Sequence, residues 1–400
     1  AGLNCAKRLA NSKLDVTIID KTNHHLFQPL LYQVATASLS PSDIAVPTRT
    51  IFKNNKNIKV VLGNVISIDK DNKKIQLKSN KVYEYDYLVI STGAKHSYFG
   101  NDEWEKHSSG LKTVGDALDI RERILIAFEK AERENNPNTR QKHLNFIVVG
   151  GGPTGVEMAG SIAEIAYNNL IKDFRNFNTK ESRIYLIEAG DKILPMFDDE
   201  LSEKARLDLI KLGVIVKTNE KVIKISKGEV NTNLETIYSD TIIWAAGNKA
   251  SELLNCLNVP LDNQNRAYVQ SDCSLKDHPN IFIIGDASHF STADGPLPGI
   301  APVAIQQGNY VGKIIKKDID KRPAFKYFDK GIMATIGRSK AVVKIGSFRI
   351  SGLIAWLAWS IIHIVYLIGF RTKILVLIEW IASYLFNNRG TRLIYRFDKK

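Results

Sequence analysis

Cysteine is scarce in this chain: three in 400 residues, at positions 5, 256 and 273, with no C-x-x-C and no two close together. That excludes a disulfide framework and a dithiol active site on the first helix or strand, and it suits a reducing compartment. Burial as small apolar residues is the expected fate of all three. Metal-ligand spacing is missing as well. The pair His24–His25 has no Cys or acid at ligand distance, so it reads as positioning or surface histidines, and no metal site is expected. No activated Ser or Cys nucleophile motif, internal repeat beyond the two nucleotide folds, low-complexity tract or visible signal peptide is present. The net charge is +13, yet no zinc pattern, recognition helix or aromatic RNA-binding strand accompanies it. Nucleic acid is therefore not the expected partner, and an anionic membrane surface fits the charge better.

What is present begins at residues 145–155, NFIVVGGGPTG. A β-branched strand runs into Gly150-x-Gly152-x-x-Gly155, and a helix-forming stretch, VEMAGSIAEIA, follows. Strand, glycine turn and helix in that order form a dinucleotide-binding signature. Gly150 allows the tight turn, Gly152 lets backbone approach a pyrophosphate, and Gly155 lets the helix pack close to the strand. The helix N-terminus then offers free N–H groups and partial positive charge to the phosphates. The second strand, SRIYLIE, ends in Glu188. A carboxylate there holds ribose hydroxyls and repels a 2′-phosphate, which favours NADH over NADPH. An extended helix and loop fill the long gap between Gly155 and Glu188. Strand DTIIWAAG closes this domain and ends at Gly247, which is expected at the cofactor.

A second nucleotide site is expected upstream. The chain opens AGLNCAKRLA, which reads as the tail of a first glycine turn: Gly2 is its last glycine and Leu3–Ala10 its helix. The strand DVTIID then ends in Asp20, close to the roughly 20-residue spacing of a ribose-binding acid. The first strand and first two glycines would precede the sequence given, and the chain as given is expected to purify largely without flavin. Two further strands support the site. VYEYDYLVISTGA ends in a turn containing Thr92 and Gly93, and HPNIFIIGDAS ends in Gly285-Asp286. An acid there can accept a ribityl hydroxyl. Two nucleotide sites in one chain point to an α/β flavoprotein with bound FAD and a mobile nicotinamide cofactor.

Between these motifs, residues 21–55 read as a loop and short helix lying over the flavin. Residues 58–90 alternate as strands with a DNKK turn, and 116–135 form a charged amphipathic helix. The polar stretch NNPNTRQKH reads as a linker. Near the C-terminus, LIAWLAWSIIHIVYLIGF (353–370) is barely long enough to span a bilayer. Trp356, Trp359, Ser360, His363 and Tyr366 share a face, and their polar tips suit a headgroup layer. ILVLIEWIASYLF follows, with Glu379, Trp380, Ser383 and Asn387 on one face. Both helices read as interfacial; a buried hairpin or dimer interface is the alternative. Arg371, Lys373, Arg389, Arg392, Arg396, Lys399 and Lys400 add attraction to anionic lipid.

Taken together, HHLFQPLLYQVATASLSPSDIAVPTR, GGGPTGVEMAG, IFIIGDAS and YLIGFRTK resemble the type II NADH:quinone oxidoreductases, single-subunit NADH dehydrogenases that do not pump protons. The resemblance spans essentially the whole chain. It implies two Rossmann-like domains of the FAD/NAD(P)-dependent disulfide-reductase class plus C-terminal amphipathic membrane-anchoring helices. The expected boundaries are 1–112 with 247–325 for FAD, 113–246 for NADH, and 326–400 for the anchor. The family's quinone motif, A-Q-x-A-x-Q-x-G, maps onto residues 301–308. It implies quinone contact at Pro302, Ala304, Gln306 and Gln307, although Pro302 stands where the motif has a glutamine. Glu157, one turn into the glycine-loop helix, is implied near the nicotinamide; as a first-turn acid it is also favoured by the helix dipole. Hydride would pass from NADH to FAD, and two electrons on to a quinone. A homodimer peripheral to the cytoplasmic face of a bacterial inner membrane is the implied state. A sulfide:quinone oxidoreductase, or an NADH-binding flavoprotein resembling apoptosis-inducing factor, are the competing readings.

Overall fold

The computed structural model describes residues 1–319, 321–386 and 391–394. The chain divides into two compact units, each assembled from separated stretches. The first comprises Ala1–His25, Val46–Lys95 and Asn248–Lys330, and the second Leu26–Ala45, His96–Gly247 and the chain from Gly331 on. The stretch after 330 thus joins the second unit, and 26–45 does too; the expected boundaries separated both from it.

In the first unit, strand Val16–Asp20 pairs in parallel with Ile58–Leu62, and Leu88–Ile90 with His278–Ile283. Helix Gly2–Leu9 lies against helix Ala301–Lys317. The approach is so close that a Cβ on Gly308 would sit 2.3 Å from the Ala1 carbonyl oxygen, so only glycine fits there. A small antiparallel meander, Val65–Asp69, Lys74–Leu77 and Val82–Glu84, accounts for the alternating pattern read in 58–90.

The second unit carries a five-stranded parallel sheet in the order Ser109–Gly110, Thr241–Trp244, Asn145–Val149, Arg183–Ile187, Val214–Lys217. Every residue of Asn145–Val149 is buried, as expected of a central parallel strand with both faces covered. Helices Val114–Arg133, Pro153–Glu164 and Asp199–Lys211 belong to the same unit. The segment read as a linker is a helix instead, Pro137–Leu144. Asn136 caps it by accepting from the N–H groups of Asn138 and Thr139, and Pro137 takes the first position, where its missing N–H costs nothing.

The C-terminal part of this unit starts with an antiparallel sheet, Ile332–Gly337, Lys340–Ile345 and Phe348–Gly352. Its first strand packs on helix Pro153–Glu164, where a Cβ on Gly160 would lie 2.1 Å from the Ile336 carbonyl oxygen. Helices Leu353–Tyr366 and Phe370–Phe386 follow, and no helix among the described residues is long and apolar enough to cross a membrane.

The orientation of these helices corrects the sequence reading. The Trp and Ser tips turn inward, with Trp359 2% and Ser360 7% exposed, while Ile354, Ile361 and Val365 are 70%, 62% and 61% exposed. Physically, the Trp359 ring stacks inside on Trp380 and His363 and the Ser360 hydroxyl donates to the Trp356 carbonyl, so the purely aliphatic face is left outside. Arg392 is turned to Asp173 and the Asn169 carbonyl. Asn387, Arg389, Arg396, Lys399 and Lys400 lie outside the described residues.

Candidate active site

In the second unit, strand Asn145–Val149 delivers the chain into the glycine turn. Gly150 has φ +109°, and a Cβ there would come within 2.8–3.0 Å of the Ala245 and Ala246 backbone. A Cβ on Gly155 would meet the Gly150 carbonyl oxygen at 1.8 Å. The third glycine therefore seats the helix on the loop's own carbonyl. Gly152, the helix N-cap, has nothing within 4 Å of an added Cβ. An open backbone at that point, with first-turn N–H groups lacking helical partners, suits a pyrophosphate. Glu188 sits directly after its strand, half-buried at the rim of this opening. One carboxylate oxygen accepts from Gly151 N at 2.6 Å and the other from Gly190 N at 2.7 Å, so the acid is fixed in place. Gly247 is different: with φ +71°, its missing Cβ makes room for the Ser97 carbonyl oxygen and the Phe99 ring. It shapes the protein and was read from sequence as a cofactor contact.

In the first unit, the residues expected at the flavin gather at the carboxyl ends of the parallel strands, where open α/β sheets bind ligands. Asp20 is the last residue of its strand, and its Oδ1 accepts from Thr22 N at 2.8 Å and Thr22 Oγ1 at 2.9 Å. Gly2 lies against Ser91, which leaves no space for a Cβ. Thr92 is exposed, and Gly93, at φ +67°, faces open space. Gly285 has φ +70° and donates its N–H to Gln307 Oε1 at 2.7 Å; Asp286 follows it beside Gly299. An open backbone at Gly93 and a fixed acid, Asp20, at the end of its strand are what a dinucleotide requires, so these residues fit FAD.

The segment 301–308 departs from its expected role at one residue. Gln307 is fully buried, and its amide oxygen receives both Gly285 N and Ser288 Oγ. A side chain so enclosed holds the Gly285 turn and cannot touch a quinone, which corrects the sequence reading. Gln306 is half-buried and clamps the backbone of Phe328, donating to its carbonyl and accepting from its N–H, each at 2.9 Å. Ala304 rests on Gly285, and Pro302 is half-buried in the helix's first turn.

Glu157 lines an open cavity of about 100 Å³ within the second unit. Its carboxyl accepts the Thr335 backbone N–H, and burial pushes its pKa up to about 8. Sequence reasoning did not find the rest of this wall. Trp380 Nε1 donates to Gln33 Oε1 at 2.7 Å, and Gln33 Nε2 donates to the Tyr32 hydroxyl at 2.9 Å. Trp359 stacks between Trp380 and His363, with ring centroids at 5.5 and 4.1 Å. The polar tips of the C-terminal helices were the available signal. Among the described residues no His, Cys, Asp or Glu cluster could hold a metal. Cys5 and Cys273 are buried and their thiol pKa values are raised by that burial. Cys256 is exposed, against expectation, because it lies on a short surface helix.

The five-stranded parallel sheet of the second unit and the parallel strand pairs of the first, with ligand-ready turns at their strand ends, define a two-nucleotide oxidoreductase. Residues 1–308 match the pyridine nucleotide-disulphide oxidoreductase family, and 330–389 match the NDH2 C-terminal domain. The chain is 42% identical to the type II NADH:quinone oxidoreductase Ndh of Mycobacterium tuberculosis, over 97% of this chain and 87% of that protein. It is 30% identical to the type II NADH:quinone oxidoreductase of Staphylococcus haemolyticus, over 84% of each. Its fold matches NDH2 of Plasmodium falciparum in complex with NADH at TM-score 0.89, with 22% identity, covering 99% of this chain and 98% of that one. The chain belongs to the type II NADH:quinone oxidoreductases.

Proposed function

We infer that this protein transfers a hydride from NADH to a bound FAD and two electrons onward to a quinone, without pumping protons. The observation that carries the reading is the nucleotide opening of the second unit, where Glu188 is held by Gly151 and Gly190 beside the uncovered Gly152 backbone. The fixed carboxylate accepts the ribose hydroxyls of NADH, and the first-turn N–H groups take the pyrophosphate. In the first unit, Asp20, Gly93 and Asp286 are the residues that would hold the flavin, which supplies the two-electron relay when bound. Glu157 is the acid that holds and releases a proton for the quinone. Ala304 and Gln306 act by seating the start of helix Ala301–Lys317 on Gly285 and Phe328, beside which Pro302 lines the quinone path.

The exposed aliphatic faces of the two C-terminal helices support membrane attachment in the plane of the lipid surface, where such faces are covered by acyl chains. We place this surface on the cytoplasmic face of a bacterial inner membrane, and take the protein as a homodimer through its C-terminal region; sedimentation in detergent measures the latter. The functional test is a stopped-flow and steady-state assay of the FAD-loaded protein. NADH should bleach the flavin absorbance and a soluble quinone should restore it, with continuous turnover. A flavin that stays oxidised under NADH, or one that quinone leaves reduced, overturns the reading.

A further inference from the structure

Reduction of a quinone by NADH takes up one proton from water: NADH + H⁺ + quinone gives NAD⁺ + quinol. The hydride brings two electrons and one proton, and the other proton must cross the protein each turnover. Glu157 is half-buried, so it has to be refilled from outside. Helix Pro153–Glu164 places Ser161 four residues and Glu164 seven residues beyond Glu157, and these spacings fall on one helix face. All three residues line the same open cavity.

On this basis we propose that Glu164 and Ser161, with water in the cavity, form the path by which the solvent proton reaches Glu157. The inference rests on the quinone-reducing function given above. Glu157 and Glu164 are about 10 Å apart along the axis at 1.5 Å per residue, too far for direct transfer. Ser161 stands between them with a hydroxyl that both donates and accepts. The cavity, with about 100 Å³ of space that water can fill, also has room for water beside these groups. Glu164 is half-buried at the far end of this face, where its Oε1 accepts the Arg338 N–H. Directly after it the helix widens into a π turn, Ile165–Asn169, a feature frequent at functional sites.

The two glutamates are held alike. Each takes one backbone N–H from strand Ile332–Gly337 or the residue after it, Thr335 for Glu157 and Arg338 for Glu164. The strand thus fixes both ends of the path. The other titratable or charged groups facing the cavity are Tyr32, from the helix Leu31–Ala35, and Arg338. The C-terminal helices contribute Trp356, Trp359, Trp380 and Ser383, none of which carries charge. A proton in this cavity therefore has Glu164 as its acidic entry and Glu157 as its acidic end.

The test uses the FAD-loaded enzyme and the variants Glu164→Gln, Glu164→Asp and Ser161→Ala. Infrared spectra without quinone follow the protonated Glu157 carboxyl, identified by its loss in Glu157→Gln, after transfer to D₂O. Its exchange should slow by roughly tenfold or more in Glu164→Gln and Ser161→Ala, and recover in Glu164→Asp. In stopped flow, quinone-driven flavin reoxidation should fall about 10–100-fold relative to reduction by NADH, and formate should restore it. Unchanged exchange, or a slowed reoxidation that formate leaves slow, overturns the relay and assigns Glu164 to docking strand Ile332–Gly337. Should wild-type flavin fail to cycle between NADH and quinone, the functional reading fails instead, and the infrared exchange still reports on the path. If Glu164→Gln does not fold, the smaller Ser161→Ala change decides.

Discussion

At the residue scale, two carboxylates of the second unit are set in different surroundings. Glu188 is tied to two backbone N–H groups at the rim of an opening, which fixes its position. Glu188→Gln keeps one acceptor and loses the charge. The ratio of kcat/KM for NADPH to that for NADH should rise about tenfold or more, while the NADH KM increases because one glycine N–H is left unmet. Steady-state kinetics with both cofactors checks this. Glu157 is desolvated, and that burial pushes its pKa up to about 8, well above the usual carboxylate range. The fold prefers the neutral acid, so its contribution is intact below the unfolded pKa and erodes as pH climbs from there to about 8. Glu157→Gln removes that penalty. The variant should be more stable than the parent at pH 9 by about 2–4 kcal/mol and nearly equal at pH 5. Denaturant titrations at the two pH values measure it, and an equal difference at both would refute the assignment.

At the element scale, the C-terminal helix pair is held to the second unit by its tryptophans. Trp359 is 2% exposed and stacked on Trp380, which hydrogen-bonds Gln33. Trp359→Ala should cost about 3–5 kcal/mol of local stability and free the pair. Limited proteolysis should then cut near the 346–352 turn and strand, while the nucleotide sheet stays resistant. Here too lies the boundary of what the sequence made legible. Strand, glycine turn, helix and terminal acid are local in sequence, so Gly150, Gly152, Gly155 and Glu188 could be placed from spacing alone. The helix Pro137–Leu144 was hidden because its polar residues hide the periodicity, although Asn136-Pro137 was a start signal. The face of helix Leu353–Tyr366 was misjudged because Trp359, buried and stacked between Trp380 and His363, reads in sequence like a ring set at a headgroup layer. Gln306 and Gln307 differ only in what they meet in space: one meets the Phe328 backbone, the other the Gly285 turn. Thr335, which holds Glu157, comes from a strand far along the chain, and no local pattern announces that pairing.

At the scale of the whole molecule, attachment to lipid sets two forces of different kind side by side. The +13 net charge draws the protein to an anionic surface over a Debye length, about 8 Å at physiological salt. Of the basic residues flanking the C-terminal helices, Arg371 and Lys373 each add about 1 kcal/mol there, whereas the Arg392 guanidinium is already committed to Asp173. The aliphatic faces offer more. Ile354, Ile361, Val365, Phe370 and Ile378 are 70%, 62%, 61%, 79% and 55% exposed, and a fully buried side chain of this size is worth about 1.5–3 kcal/mol. The apolar term should therefore dominate, and it survives salt. In flotation with phosphatidylglycerol-containing vesicles, raising NaCl to about 1 M, where the Debye length is about 3 Å, should leave most of the protein bound. The combined variant Ile354→Lys, Ile361→Lys and Val365→Lys makes the two forces disagree, since it adds positive charge while removing apolar surface. If the aliphatic face is the anchor, the variant leaves the vesicles even at low salt despite its higher charge. Tighter binding by the variant would instead make attachment electrostatic, and would turn these exposed aliphatics toward another copy of the chain.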